Sequence, residues 1–528
     1  MRSFHLPGRS PVLALNAMCA TSHPLASLTA IETLKAGGNA VDAAIAAAAM
    51  LAVVEPHMTG IGGDCFALLA RPGSRPVAFN AAGRAPAAAT ADWYAQNGIK
   101  ALDATSPHAV TVPGAIDGWA RLLSEHGTMS LARVLEPAID TAEQGFAVAP
   151  RIASDWARQV PKLAGNAGAR QHLLVDGRAP VVGHRMRFPA LARTLRIIAR
   201  DGRDGFYRGE VAHDMVSELR ALGGLHTLED FARQSSNFVE PISVTYRGLE
   251  LVELPPSSQG IVALILLRML TRMGAVPADP NSAARHHLMM EAGRLAYAMR
   301  DAFVADPDMA DVPVAHMLAD STIDRLIARI DPHSRSADLG AVPQPAGRDT
   351  VYLAVVDSSG LAVSFINSLF AQFGSGIVTA RTGITLQNRG HGFVLDPRHR
   401  NCIAPGKRPL HTLVPALAMR DGRPQLAFGV MGGAYQPMGH AYVIANMLDY
   451  GMDPQEAIDA PRIFHEGAVL AAEQGIAPAV VADLEAIGHT VTRPELPWGG
   501  GQLVAIDQAT GVLTGASDPR KDGCALGY

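Results

Sequence analysis

The residue of greatest chemical interest sits in an ordinary place. Thr350 stands where the polar stretch Gly347-Arg348-Asp349 gives way to Val351-Tyr352-Leu353-Ala354-Val355-Val356-Asp357. The second half is apolar and β-branched and runs into Asp357-Ser358-Ser359-Gly360, the pattern of a buried strand closed by a turn. A threonine at a strand start is structural in most proteins, and its hydroxyl is a weak nucleophile without a base. Other stretches invite chemistry too. Gly60-Ile61-Gly62-Gly63-Asp64 is a glycine-rich loop before a strand, but no Lys-Ser/Thr follows, which argues against a Walker-type phosphate site and for a tight turn packed near an active centre. Arg84 is the one cation in an alanine-rich loop over residues 78–90. Cys19, Cys65, Cys402 and Cys524 are scattered with no metal-ligand spacing, so they read as free thiols, and neither metal nor cofactor is expected.

The elements that must position these residues follow from periodicity. Leu25 to Ala36 reads as a helix stopped by Gly37-Gly38, and Asn39 as the cap of an alanine-rich second helix. Phe66 to Ala70 is an expected strand. Residues 105–340 read as mostly helical, with breaks at Pro113-Gly114, Gly202 to Gly205 and Pro255-Pro256-Ser257-Ser258. Arg285 to Phe303 is the clearest helix, with Met289, Met290 and Met299 as core fillers. Ser334 to Gly347 reads as an exposed, mobile linker. Beyond Thr350 the texture turns to strands, at 351–357, 361–367, 383–387, 413–419 and 425–430, and Gly432-Gly433 links Met431 to a helix over 438–450. The chain thus divides near 340–350 into a helical larger part and a strand-rich smaller one.

Composition narrows the function classes. Lys plus Arg is 45 against 49 for Asp plus Glu, so no basic field draws the chain to nucleic acid or anionic lipid. The most apolar run, Ala40 to Val54, carries Asp42 and falls short of the ~20 residues of a membrane span. The first residues lack the apolar core of a signal peptide, so a cytoplasmic enzyme is expected.

Ordered motifs along nearly the whole length resemble the γ-glutamyltransferase family. They include Ser22-His23-Pro24-Leu25-Ala26-Ser27, Gly37-Gly38-Asn39-Ala40-Val41-Asp42-Ala43-Ala44, Val112-Pro113-Gly114, Tyr246-Arg247-Gly248, Pro255-Pro256-Ser257-Ser258-Gln259-Gly260, Gly374-Ser375-Gly376 and Lys407-Arg408-Pro409-Leu410. The resemblance implies an α+β chain with the four-layer αββα fold of N-terminal-nucleophile hydrolases, made as a precursor that cuts itself between Asp349 and Thr350. The products are a large chain, 1–349, and a small chain, 350–528, which stay together as a heterodimer open to further pairing. After the cut, the α-amino group of Thr350, with an unperturbed pKa near ~7.7–8.0, can act as the base its hydroxyl lacks. Gly432-Gly433 matches the family's paired oxyanion glycines, and Asn367 or Ser368 stands near its second hydroxyl position.

The pocket departs from the family pattern. The arginine that grips a glutamyl α-carboxylate falls on Ala82, with Arg84 two residues on; a serine pair becomes His411-Thr412. The aspartate that would grip an α-amino group is lost from Asn388-Arg389-Gly390-His391-Gly392, and Arg389 has appeared there. These changes favour a small acid amide without an amino group, as in the oxamate amidohydrolase branch of purine breakdown, with Arg84, Arg389 or His411 as the cation for its carboxylate. A γ-glutamyl hydrolase or transferase, a glutaryl-type acylase and a binding protein without turnover are the other readings.

Overall fold

The structure is a computed structural model and describes residue 5 and residues 8–274, 276–336 and 350–528. The most apolar run becomes the central helix. Ala40–Val54 is buried at every position. Asn39 Oδ1 accepts from the N–H groups of Val41 and Asp42, while the Asp42 carboxylate accepts from Asn39 N–H, a reciprocal cap. Its alanines let neighbours come close, and it packs on Pro24–Lys35, Leu131–Gln144 and the strand Val351–Val356. That strand is buried at all 6 residues, which is why it reads as continuously apolar rather than alternating.

Two seven-stranded antiparallel sheets lie face to face. One runs Cys524–Gly527, Met18–Thr21, Val351–Val356, Ala362–Ser368, Asp64–Ala70, Val77–Ala81, Asn237–Val239. The other runs Val12–Ala14, Leu513–Ser517, Gly500–Ile506, Arg423–Met431, Ala416–Arg420, Leu249–Glu253, Ile242–Tyr246. The central helix and its neighbours cover the first sheet. Ile261–Met273 and Gln436–Leu448 cover the second, with Ala283–Phe303 against them. The layers are therefore helix, sheet, sheet, helix, the αββα arrangement, and each sheet forms an apolar core with its helices.

Several expectations need correction. Residues 105–340 are not simply helical: Asn237–Val239, Ile242–Tyr246 and Leu249–Glu253 supply strands to both sheets. The hairpin joining the last two turns on Arg247 and Gly248, at φ 48° and 81°, a left-handed pair that matches strand twist. The part before Thr350 is the helix-rich one and the part after it the strand-rich one, but they are not separate units, because strands from both contribute to each sheet. Residues 383–387 carry only the isolated bridge between Val378 and Thr385. The expected linker, 334–347, lies outside the described residues beyond Ser336, as does Asp349.

Candidate active site

Register brings three side chains into a row at one end of the first sheet. Val351 pairs with Asn367, which sets Thr350 opposite Ser368, and Ser368 pairs in turn with Asp64. Side chains at paired positions share a face. Thr350 Oγ1 and Ser368 Oγ lie 3.2 Å apart, and Ser368 Oγ also accepts from Phe370 N–H at 2.8 Å. Asn367 points the opposite way, its amide donating to Thr59 Oγ1 at 2.7 Å and to Gly60 O while its carbonyl accepts from Trp119. Of the two candidate neighbours for Thr350, Ser368 is the one in contact. Thr350 itself is 1% exposed.

The glycines of 60–63 belong to this corner. A Cβ on Gly62 would come within 2.2 Å of Thr385 O, and one on Gly63 equally close to Ser368 O. Only glycine lets the turn pass so near the end of the Ser368 strand. The carboxylate it delivers, Asp64, accepts from the backbone of Gly83 at 2.9 Å and Gly114 at 3.0 Å, from Gln387 Nε2 at 2.9 Å and from His411 Nε2 at 3.1 Å.

His411 is held neutral. Burial, then the neighbouring Arg389 charge, push its pKa down to about 4 against the pull of Asp64. Leu413 N–H donates to its Nδ1 at 3.3 Å, so the proton sits on Nε2, facing Asp64. The expectation of His411 as a cation is corrected by this burial. Arg84 is engaged elsewhere: it donates to Gly406 O at 2.9 Å and to Asp308 at 3.1 Å, with Asp306 at 3.8 Å.

Arg389 is different. Its side chain is fully buried, its Nη1 donates to Thr412 Oγ1 at 2.6 Å, and its guanidinium lies 4.4 Å over the Phe370 ring. Nε and Nη2 have no hydrogen-bond partner among the described residues. Burial pushes its pKa down, which the Asp64 carboxylate opposes. A guanidinium clamped on two sides with two donors open can donate to an anion. Through Phe370, Ser368 and Thr350 it connects to the strand start.

Gly432 and Gly433 end the strand Arg423–Met431 at φ 123° and 57°, and Gly433–Tyr435 makes one tight turn before Gln436–Leu448. A Cβ on Gly432 would meet Gly499 Cα at 3.0 Å. Gly432 lines a cavity of about 270 Å³.

The model of the gamma-glutamyltranspeptidase family matches residues 26–528. The chain belongs to this family. It is 39% identical over 534 residues to the oxamate amidohydrolase proenzyme of Klebsiella pneumoniae, covering 98% of this chain and 99% of that one. It is 37% identical over 531 residues to the glutathione hydrolase-like YwrD proenzyme of Bacillus subtilis, covering 98% and 99%. Among solved structures it resembles cephalosporin acylase from Bacillus halodurans, with a TM-score of 0.92 and 37% identity over 100% of this chain and 99% of that one. Family membership makes this chain an enzyme of the N-terminal-nucleophile hydrolase type, consistent with its αββα layers.

Sequence reasoning missed two members of this corner. Gln436, first in its helix, places Nε2 3.5 Å from Thr350 Oγ1 while its Oε1 accepts from Val414 N–H. Its signal was proximity to the glycine pair. Asp64 lay inside the recognised glycine loop, but only strand register shows that it faces Ser368. No helix among the described residues is long and apolar enough to cross a membrane.

Proposed function

We propose that the chain cuts itself between Asp349 and Thr350 and then hydrolyses small acid amides, with oxamate the leading substrate, through an acyl-enzyme on Thr350. In the cut, Thr350 Oγ1 attacks the Asp349 carbonyl carbon, the acyl group moves from N to O, and water splits the ester. This frees the Thr350 α-amine and leaves a carboxylate on Asp349. The products are the chains 1–349 and 350–528, which remain together as a heterodimer. In turnover the α-amine takes the Oγ1 proton as oxygen bonds the substrate carbonyl, and the proton leaves with ammonia as the C–N bond breaks. Water then releases oxalate and restores the hydroxyl. Ser368 and Gln436 hold Oγ1 in place, and the N–H groups of Gly432 and Gly433 receive the oxyanion.

The observation that carries the substrate choice is the buried Arg389 guanidinium, fixed by Thr412 and Phe370 with two donors open. Oxamate carries its carboxylate directly on the scissile carbonyl, so the cation must lie near the nucleophile. The Asp64 carboxylate favours the charged form of Arg389 electrostatically. The 39% identical oxamate amidohydrolase proenzyme points the same way. A second reading, an acylase of bulkier amides, is favoured by the roughly 270 Å³ cavity at Gly432 and by the likeness to cephalosporin acylase.

The test is product release by the purified protein: ammonia from oxamate and glutamine, amine from glutathione and a glutaryl amide. Oxamate is expected to be hydrolysed fastest. Brisk turnover of glutathione with none of oxamate would overturn the assignment.

A further inference from the structure

Arg389 and the glycine turn come from different stretches of the chain, and one buried side chain touches the backbone behind both. Gln259 is 0% exposed. Its Nε2 donates to Thr412 O at 3.1 Å and to Gly433 O at 2.8 Å, and its Oε1 accepts from Arg300 Nη1 at 2.8 Å. Arginine offers no acceptor and a carbonyl no donor, so only this orientation of the amide serves all three partners. The root of the side chain is fixed as well. Gln259 N–H donates to His411 O at 3.0 Å, His411 N–H to Ser257 O at 2.8 Å, and Ser258 Oγ to Leu413 O at 2.7 Å. Behind the amide stands Arg300, which is buried, pairs with Asp301 at 2.7 Å and lies 4.7 Å over the Tyr297 ring. The Tyr297 hydroxyl in turn donates to Ala434 O. One helix, Ala283–Phe303, thus pins the carbonyl of Gly433 through Gln259 and that of Ala434 directly.

Thr412 is the residue whose hydroxyl holds Arg389. A single amide therefore joins the backbone of the acid site to the backbone of the turn. An acid directly on the scissile carbonyl allows no slack. Its carboxylate and its developing oxyanion sit on adjacent carbons, so both must be met at one fixed separation, and a misplacement of about 1 Å is enough to cost turnover. We propose that Gln259 is a positioning residue that sets this separation, and so makes the enzyme selective for amides whose acid adjoins the carbonyl. This rests on the proposed roles of Arg389 and Gly433. The three side-chain partners of Gln259 are all groups of the protein, so it acts through them and not on the reacting atoms.

The experiment compares oxamate with pyruvamide, in which a neutral acetyl group replaces the carboxylate. Ammonia release gives kcat/KM for both in the purified wild type, Gln259→Met, Arg389→Ala and the double variant. Methionine fills the space of glutamine and makes none of its bonds. Pyruvamide needs the turn alone, whereas oxamate needs turn and cation together. Gln259→Met should therefore lower the oxamate-to-pyruvamide ratio by roughly three- to tenfold, the value of one neutral hydrogen bond. With Arg389→Ala no separation is left to keep, and adding Gln259→Met should leave the ratio where it is. A merely structural glutamine would lower both substrates equally and leave the ratio unchanged in either background, and that result overturns the inference. Should Gln259→Met fail to fold or to cut itself, Arg300→Leu, which frees Oε1 and keeps the glutamine, must lower the same ratio. An unchanged ratio there overturns the inference, as does failure of both variants to give cut enzyme. Wild type that hydrolyses neither amide overturns the proposed function and the inference with it. Wild type that favours oxamate, with the ratio unmoved in the variants, overturns the inference alone.

Discussion

At the scale of residues, the corner is a set of side chains whose charges have been decided by burial. His411 is neutral and presents Nε2–H to Asp64, so it orients rather than attracts. Arg389 is the cation that remains. Arg389→Ala is expected to lower kcat/KM for oxamate by roughly ten- to a hundredfold, the value of one charge-assisted bond. Arg389→Lys should recover only part, since an ammonium cannot reproduce the planar fork that Thr412 and Phe370 hold. Equal activity in all three proteins would remove Arg389 from the site. The hydroxyl of Thr350 was legible as a type in a place, and Arg389 as a cation where an acid was lost. Asp64, Gln436 and the outward turn of Asn367 were not, because each depends on which residue lies across the sheet or above the turn, and no local pattern encodes that.

At the scale of elements, the two glycines after Met431 are not equivalent. Gly433 has φ 57°, a left-handed conformation that an L-residue adopts at a cost of about 1–2 kcal/mol. Gly432 has φ 123°, which a side chain does not reach, and its Cβ would crowd Gly499. Gly433→Ala should therefore lower Tm by a few degrees with modest loss of turnover. Gly432→Ala must shift the turn and its N–H groups, and kcat should fall by about 10²–10³, the usual loss for one oxyanion donor. Turnover and melting measured on both variants check this; the reverse pattern would move the oxyanion site elsewhere. Long elements with one clear period were readable in advance: the expected helix at Arg285 became Ala283–Phe303, and the strand 361–367 became Ala362–Ser368. The strands at 237–253 were missed because a half-buried hairpin of short strands carries little period of its own.

At the scale of the whole molecule, acid is the natural weakness. Burial holds His23, His226, His286, His411, His465 and His489 down to about 4. In the unfolded chain these side chains titrate near ~6.5. Between those values the unfolded state binds protons that the folded state refuses, so stability is full above pH ~6.5 and declines as pH falls toward 4. Melting curves across that window should show Tm dropping with acid, and His226→Gln should flatten the slope. A Tm indifferent to pH over this range would contradict the burial of these rings. On denaturing gels the wild type should run as two chains with the smaller beginning at Thr350, while Thr350→Ala should remain one 55.5 kDa chain without activity. A single intact band with full turnover would exclude the cut.

The interleaving of strands has a kinetic side. Val351–Val356 lies between Met18–Thr21 and Ala362–Ser368, and Arg423–Met431 shares its sheet with Leu249–Glu253 and Val12–Ala14. An uncut chain assembles these sheets by a first-order search within one molecule. Once the bond before Thr350 is gone, the same sheets need strands from two separate molecules, and assembly becomes second order. The precursor is then the form that can fold and the cut form the one that can only remain folded, so its lifetime is set by its unfolding barrier. Refolding yield from denaturant should be independent of concentration for Thr350→Ala. For the cut wild type it should be low and rise with concentration.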